Sequence, residues 1–277
     1  MESIKLSIIT LSLNSAQYLP ENFHSVLPYL SSGVEHILID AGSDDDSRAL
    51  IQNYAEHFPN VTKIFEGDSG PAEGLNKGLL AAKGDWIGIL NSDDFYMPGA
   101  LAVVLKIFQK TKADIVYGYG NVLIGDENTY VHVGRLHIRN FAMKQQQIFQ
   151  PSIFFKRGRI ERSNLFFNQL NYTCWDAEFI CQLLKGGAKA KRYPLVFSTF
   201  RIHDNSITGS AANESEYWAD MQHVATIARK NRVLVFDKLS LQIIKSKPYI
   251  FFKKIYMVLF HSFYNYSKMS KEVFNEN

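Results

Sequence analysis

Three aspartates stand where side chains at the end of a strand could meet a ligand. Asp40 closes the apolar run Glu35–Asp40, and Asp93 and Asp94 follow the run Trp86–Leu90 after only Asn91 and Ser92. Adjacent carboxylates at one strand end repel, and each resists ionisation alone. A divalent cation resolves this, because Mg²⁺ and Mn²⁺ are hard ions that take carboxylate oxygens and complete their shell with substrate phosphates. The pair therefore suggests a metal–diphosphate site. Asn91-Ser92-Asp93-Asp94 equally suits a turn and could cap the helix after Pro98, and spacing does not choose between the two.

Other chemistries find little support. The two cysteines, Cys174 and Cys181, exclude a disulfide scaffold. On one helix they would lie about two turns apart, too far to bridge. No CxxC or HExxH spacing suggests zinc. With 277 residues, 46% hydrophobic and 21% charged, the chain can bury a real core as one large domain or two small ones.

The elements that would position the aspartates alternate. Ile4–Leu13 reads as a buried strand, Tyr18–Leu30 as a helix, Glu35–Asp40 as a strand, and Asp44, Asp45, Asp46 and Ser47 offer N-cap chemistry for a helix to about His57. Val61–Phe65 is a third strand. Pro71–Ala82 is a helix with Pro near its start and Gly84 just past its end. Trp86–Leu90, a helix over Pro98–Lys110 and a fifth strand at Asp114–Tyr117 follow. Such alternation predicts a parallel sheet with helices on both faces, its strand C-terminal ends gathered on one edge where open α/β sheets bind ligands. From 118 to 150 glycines punctuate short runs, Asn121–Ile124 and Thr129–Val133, which suggest a hairpin before a Gln-rich segment. Ser152–Lys156 and Ala190–Phe197 read as strands, Asp176–Lys185 as a helix ended by Gly186-Gly187, and 215–277 as helices.

Five segments in order resemble the bacterial inverting glycosyltransferases of family 2, which have the GT-A fold: Ser7–Asn14, Ile39–Asp45, Asp68–Gly78, Gly84–Asp94 and Trp175–Phe179. One such motif is weak; five at family spacing, within a match from about 4 to 208, are specific. The resemblance implies an α/β GT-A domain over 1–210, with a nucleotide-binding half at 1–117 and an acceptor-binding half at 118–210. A basic, aromatic helical extension at 211–277 would complete the chain.

The resemblance also implies roles. Thr10 and Ser12 would flank the nucleotide base, and Asp40 would accept a hydrogen bond from it. Glu73 and Asn76 would sit near the ribose or donor sugar, and Asp93 would contact the ribose or the metal. Asp94 would coordinate Mn²⁺ or Mg²⁺, with His203, in Arg201-Ile202-His203, as a further ligand or in contact with the phosphates. Asp176 would be the general base that takes the acceptor hydroxyl proton during in-line displacement at the anomeric carbon. Read without the resemblance, Asp176 is an N-cap. Glu178 is the second carboxylate of that motif, and two residues along a helix it faces elsewhere. Gln150 aligns with a residue lining the acceptor side. Leu11, Leu13, Ala41 and Glu73 depart from common family residues, which loosens the inference about the nucleotide.

The net charge of +3 conceals an asymmetry: from Arg229 onward ten Lys/Arg stand against Asp237, Glu272 and Glu276, a net +7, which leaves −4 for residues 1–228. Residues 238–271 interleave Lys with Tyr, Phe, Ile and Leu, a pattern that can lie in a bilayer interface or pack on the core. The longest uncharged apolar run there, Ile255–Ser267, is short of the ~20 residues a span needs. The N-terminus lacks a signal-peptide pattern. These features predict a cytoplasmic protein, with peripheral association at the inner membrane through 238–271. Nucleic-acid binding is not expected, because the basic residues are confined to the tail and accompany no nucleic-acid motif.

The sequence thus predicts a hexosyl- or N-acetylhexosaminyltransferase. It would move a sugar from a nucleotide donor, UDP-linked, to a glycan or polyprenyl-linked acceptor in O-antigen, capsule or exopolysaccharide assembly. The alternative is a degenerate GT-A protein that binds sugar nucleotide or a partner without turnover; retention of Asp94 and Asp176 argues against it. A nucleotidyltransferase or dinucleotide-binding dehydrogenase would need a Gly-rich loop after strand one, where this chain has Asn14-Ser15-Ala16-Gln17.

Overall fold

The computed structural model describes residues 4–203 and 214–230. Among these residues nine strands form one sheet: β1 (Leu6–Ser12), β2 (Val34–Asp40), β3 (Val61–Phe65), β4 (Trp86–Ile89), β5 (Phe95–Tyr96), β6 (Ile115–Ile124), β7 (Glu127–Val131), β8 (Ile153–Lys156) and β9 (Ala190–Ile202). The order is β3-β2-β1-β4-β8-β6-β9-β5, with β7 paired to β6 as a hairpin. β1, β2, β3 and β4 run parallel, and β6 and β9 share their direction; β8, β5 and β7 oppose them. The sheet is therefore mixed and mostly parallel.

Helices cover both faces. On one lie α1 (Leu19–Val26), α2 (Ser47–His57) and α4 (Ala100–Lys110), packed against Leu6, Ile8 and Leu38. On the other lie α3 (Pro71–Ala81), α5 (Ile138–Ala142), α6 (Arg157–Ser163), α7 (Trp175–Lys185) and α8 (Glu214–Arg229), packed against Ile9, Ile37 and Ile39. β1 and β2 are buried on both faces, which explains their near-continuous apolar runs. α3 approaches the sheet closely because its inner face carries glycines. A Cβ on Gly78 would lie 2.5 Å from Ile9 Cγ2, and one on Gly74 2.8 Å from both Leu11 and the Asp68 carboxylate. α8 buries Met221, Val224, Ala225 and Ala228 at helical spacing, so this start of the expected extension packs on the core. No helix among the described residues is long and apolar enough to cross a membrane. The basic stretch 238–271 lies outside the described residues.

Several predicted elements change in outline. The helix expected over 18–30 is α1 followed by a tighter 3-10 turn, Leu27–Ser32, containing Pro28 and ending at Gly33 with φ +82°. Proline removes the donor that a continuous α-helix would need there. The fifth strand continues past Tyr117 to Ile124, with Gly118 and Gly120 at an irregularity in its pairing with β9. It is not the next parallel neighbour of β4, because β8 inserts antiparallel between them.

Candidate active site

The aspartates occupy the C-terminal ends of the parallel strands, and local hydrogen bonds divide them by role. Asp40 ends β2 and is fully buried. Its Oδ1 accepts from Gly42 N (3.0 Å) and Ser43 N (2.9 Å), its Oδ2 accepts from Ser43 Oγ (2.5 Å), and Arg48 Nε lies 3.2 Å away. The carboxylate therefore organises its own loop. That loop is stitched to the one after β1: Asn14 N donates to Ser43 Oγ, Asp44 N to Asn14 Oδ1, Ala16 N to Asp45 and Ser15 N to Ser47 Oγ. Asn14, with φ +49°, takes the left-handed turn that this closure demands.

Thr10 does not join the site. It shares a face with Ile8 and points into the sheet, where its hydroxyl pairs with His36 Nε2 at 2.8 Å. Burial drops the His36 pKa to about 3, so the ring stays neutral beside Phe23 and Tyr54. Ser12, opposite Asp40 in the ladder, is buried at the end of β1 with its hydroxyl unpaired among the described residues.

Asp93 and Asp94 differ sharply. Asp94 is 1% exposed; Oδ1 accepts from Arg201 N at 3.0 Å, and Oδ2 is buried with no hydrogen-bond partner among the described residues. Burial, then the Asp93 charge, holds its pKa well above the usual carboxylate range. The Asp93 side chain is 18% exposed and receives His203 Nε2 on Oδ2 at 3.0 Å. Two further residues fix this turn. Asn22, fully buried, donates to the carbonyls of Asn91 (2.9 Å) and Asp94 (3.1 Å). Arg201 donates from Nε to Asp93 O and pairs with Glu21, while its guanidinium lies over the rings of Tyr18 and Phe95. Tyr18 in turn stacks on His203 at 4.8 Å. Gln150 also lies here, donating to Ile89 O at 2.7 Å, so it secures the end of β4.

The donor-sugar candidates brace loops. Glu73 accepts from Ser69 N and Oγ, which lowers its pKa, and pairs with Lys77 at 3.4 Å. These bonds tie the loop before α3 to its first turn, ahead of the N-cap Gly70. The Asn76 side chain exchanges two hydrogen bonds with the backbone of Phe167, at 2.9 and 2.8 Å, and so anchors the segment before α7. Asp68, beside both Asp40 and Glu73, is a further carboxylate of this rim; burial raises its pKa.

The two acids of α7 separate cleanly. Glu178 is 3% exposed and accepts from Asn168, Asn171 and Gln182 amides, so it is the knot of the 164–174 segment. Asp176 accepts from Ala177 N, at 2.6 Å, and burial lifts its pKa to about 6. It is not the N-cap, a position held by Cys174; it sits in the first helical turn.

Sequence reasoning did not single out Asn22, Tyr18, Glu21 or Arg201. Arg201 lay within a motif read for its histidine; Asn22, a polar residue amid the apolar positions of α1, was the available signal.

The profile of a family described as "Glycosyl transferase family 2" matches residues 7–169. An uncharacterized glycosyltransferase of Nostoc sp. is 32% identical over 127 residues, covering 46% of this chain and 39% of that protein. Glycosyltransferase GlyG of Streptococcus pneumoniae is 30% identical over 130 residues, 46% of this chain and 43% of that protein. These matches span less than half of either relative's length. The putative teichuronic acid biosynthesis glycosyltransferase TuaG of Bacillus subtilis is 26% identical, with coverage of 74% and 82%. The fold is that of S. aureus TarS residues 1–349 in complex with UDP-GlcNAc, with a TM-score of 0.67, 16% identity and coverage of 83% and 68%. A profile match that takes in β1 through the 164–169 segment, and with them every strand-end aspartate described above, settles the relationship: the chain belongs to glycosyl transferase family 2.

Proposed function

We propose that this chain transfers a sugar, with inversion, from a nucleotide-sugar donor to a glycan or lipid-linked acceptor, with Asp176 as general base. The donor is UDP-linked. One observation carries the reading: an accessible Asp93–His203 pair seated on a buried Asp94 at the C-terminal edge of a parallel sheet.

The donor set fits a divalent cation. Asp93 offers a carboxylate and His203 an imidazole, and the unpaired buried Asp94 oxygen adds negative charge behind them. Among the described residues no group of three or more potential ligands occurs. Two protein ligands suffice where substrate phosphates complete the shell. Asp93 and His203 would hold Mn²⁺ or Mg²⁺, with Asp94 as the buried support. Bound there, the cation would offset charge on the departing diphosphate.

The remaining work falls to the chain's own residues. Arg201 and Asn22 hold the Asn91–Asp94 turn in place. The Asp40 loop, stitched to Asn14–Ser15, forms the rim against which a nucleoside can rest, with Ser12 and Asp68 beside it. The Asp176 carboxylate takes the acceptor hydroxyl proton as the oxygen attacks the anomeric carbon and the nucleoside diphosphate leaves from the opposite face. A pKa near 6 leaves Asp176 ionised yet basic at neutral pH. The relative named for teichuronic acid biosynthesis supports a glycan acceptor. The basic tail supports a place at the cytoplasmic face of the membrane.

Calorimetric titration with UDP, in Mn²⁺ and in EDTA, tests the donor site. Metal-dependent binding, weakened at least tenfold in Asp93→Asn, is the expected result. Absence of binding by UDP and by other nucleoside diphosphates in Mn²⁺ would overturn the reading.

A further inference from the structure

An open cleft of about 460 Å³ lies between the segment before α7 and the exposed face of α8, lined by Leu170, Tyr172, Glu216, Ala219 and Asp220. Its apolar lining faces solvent to an unusual degree: Leu170 is 92% exposed and Tyr172 46%. Exposed apolar side chains gathered in a concavity mark binding sites more often than scattered ones do. The cleft is also tied to the segment that leads into α7. Thr173 donates from its backbone N (2.9 Å) and its hydroxyl (2.7 Å) to Asp220, and Thr173 lies three residues before Asp176. On its other side the Tyr172 ring packs on the loop that opens α3; a Cβ on Gly70 would lie 3.3 Å from it. Tyr172 thus stands between the donor-side loop 68–70 and the cleft.

We infer that this cleft is the acceptor subsite and that it takes an uncharged sugar ring, stacked on Tyr172 with its hydroxyls directed to Glu216 and Asp220. The inference rests on the proposed transferase activity and names the acceptor class for it. A pyranose presents an apolar C–H face, which suits Tyr172 and Leu170, and a rim of hydroxyl donors, which suits carboxylates, since ionised Asp and Glu only accept. The same carboxylates repel phosphate, so a polyol-phosphate chain or the phosphate of a lipid carrier does not fit here. The segment carrying Tyr172 is held by Asn76 and Glu178, so the ring is presented by a braced loop.

Saturation-transfer NMR on the full chain, with UDP and Mn²⁺ present, tests this. The probes are methyl glycosides of glucose, galactose and N-acetylglucosamine, together with glycerol 3-phosphate. Signal from at least one neutral glycoside is expected, reduced at least fivefold in Tyr172→Ala and in Leu170→Glu, with uridine signal retained in both variants. Neutral glycoside signal that is absent, or unchanged in both variants, overturns the inference while uridine signal leaves the donor reading standing. Signal from glycerol 3-phosphate alone overturns it in favour of an anionic acceptor. Loss of uridine signal in the unaltered chain counts against the donor reading instead, and Tyr172-dependent glycoside binding would still support the cleft.

Discussion

His203 Nε2 lies 3.0 Å from Asp93 Oδ2, across 110 residues of sequence, and this bond joins the end of β9 to the turn after β4. Through it the last strand of the sheet completes the strand-end aspartate cluster. Arg201, two residues earlier, holds the same turn through Asp94 Oδ1 and Asp93 O. Asp93 is left facing outward with an imidazole beside it, while Asp94 is sealed beneath.

Arg201→Ala removes the bond to Asp93 O, the pair with Glu21 and the cover over Tyr18. The expected result is a donor KM raised about tenfold, at a stability cost of about 1–3 kcal/mol. Arg201→Lys recovers only part of this, because an ammonium cannot reproduce the planar fork. Donor kinetics and urea denaturation check both outcomes.

Glu178→Ala leaves the amides of Asn168, Asn171 and Gln182 without their common acceptor. It should destabilise the fold by about 2–4 kcal/mol. UDP affinity measured well below the lowered Tm should stay within about twofold of the original. Denaturation and calorimetry together distinguish this structural carboxylate from Asp176.

Asp176→Asn should stabilise the protein at neutral pH. The folded-state pKa, about 6, is above the ordinary 3.8, so between these values the folded state binds more protons than the unfolded. Stability from this group is fully present below pH 4 and is lost as pH rises through 6. Asparagine keeps the bond from Ala177 and removes the charge that folding desolvates, a gain of at most about 3 kcal/mol at pH 7. Thermal unfolding at pH 7 and pH 4 checks the sign: the advantage of the variant shrinks at the lower pH.

For the proposed base, the same pKa sets the acid limb of turnover. A base must be ionised to accept a proton, so kcat should fall on the acid side of about pH 6, tenfold per pH unit, and be flat from pH 7 to 8. Initial rates across pH 5–8 at saturating donor read this directly.

Asn76→Ala separates a loop brace from a sugar ligand. Losing the paired bonds to Phe167 should speed proteolysis within 164–174 several-fold and leave UDP-sugar affinity unchanged. Donor affinity that falls tenfold without faster cleavage would restore the sugar-binding role.

Strand-end carboxylates were readable because β1 to β4 alternate with helices in simple βα units, and strand length alone puts Asp40, Asp93 and Asp94 on one edge. Which carboxylate faces solvent was not readable, since that depends on β9 returning beside β5 and bringing Arg201 and His203 to the Asp93–Asp94 turn. The insertion of β8 between β4 and β6 is likewise a long-range pairing, invisible to local pattern. Thr10 could have been placed correctly: strand alternation puts it on the face of Ile8, inside the core. Glu73, Asn76 and Glu178 stand in motifs close to the site, yet they support the loops around it. Motif position alone does not distinguish a ligand-binding side chain from one that holds its loop.

The most direct test of the account is the rate of UDP release by Asp176→Asn, measured against the unaltered chain with the best UDP-sugar in Mn²⁺. A general base that contributes to displacement predicts a loss of about 10²–10⁴-fold with UDP affinity within twofold. A variant that keeps a tenth or more of the rate at unchanged affinity would show that Asp176 is not the base.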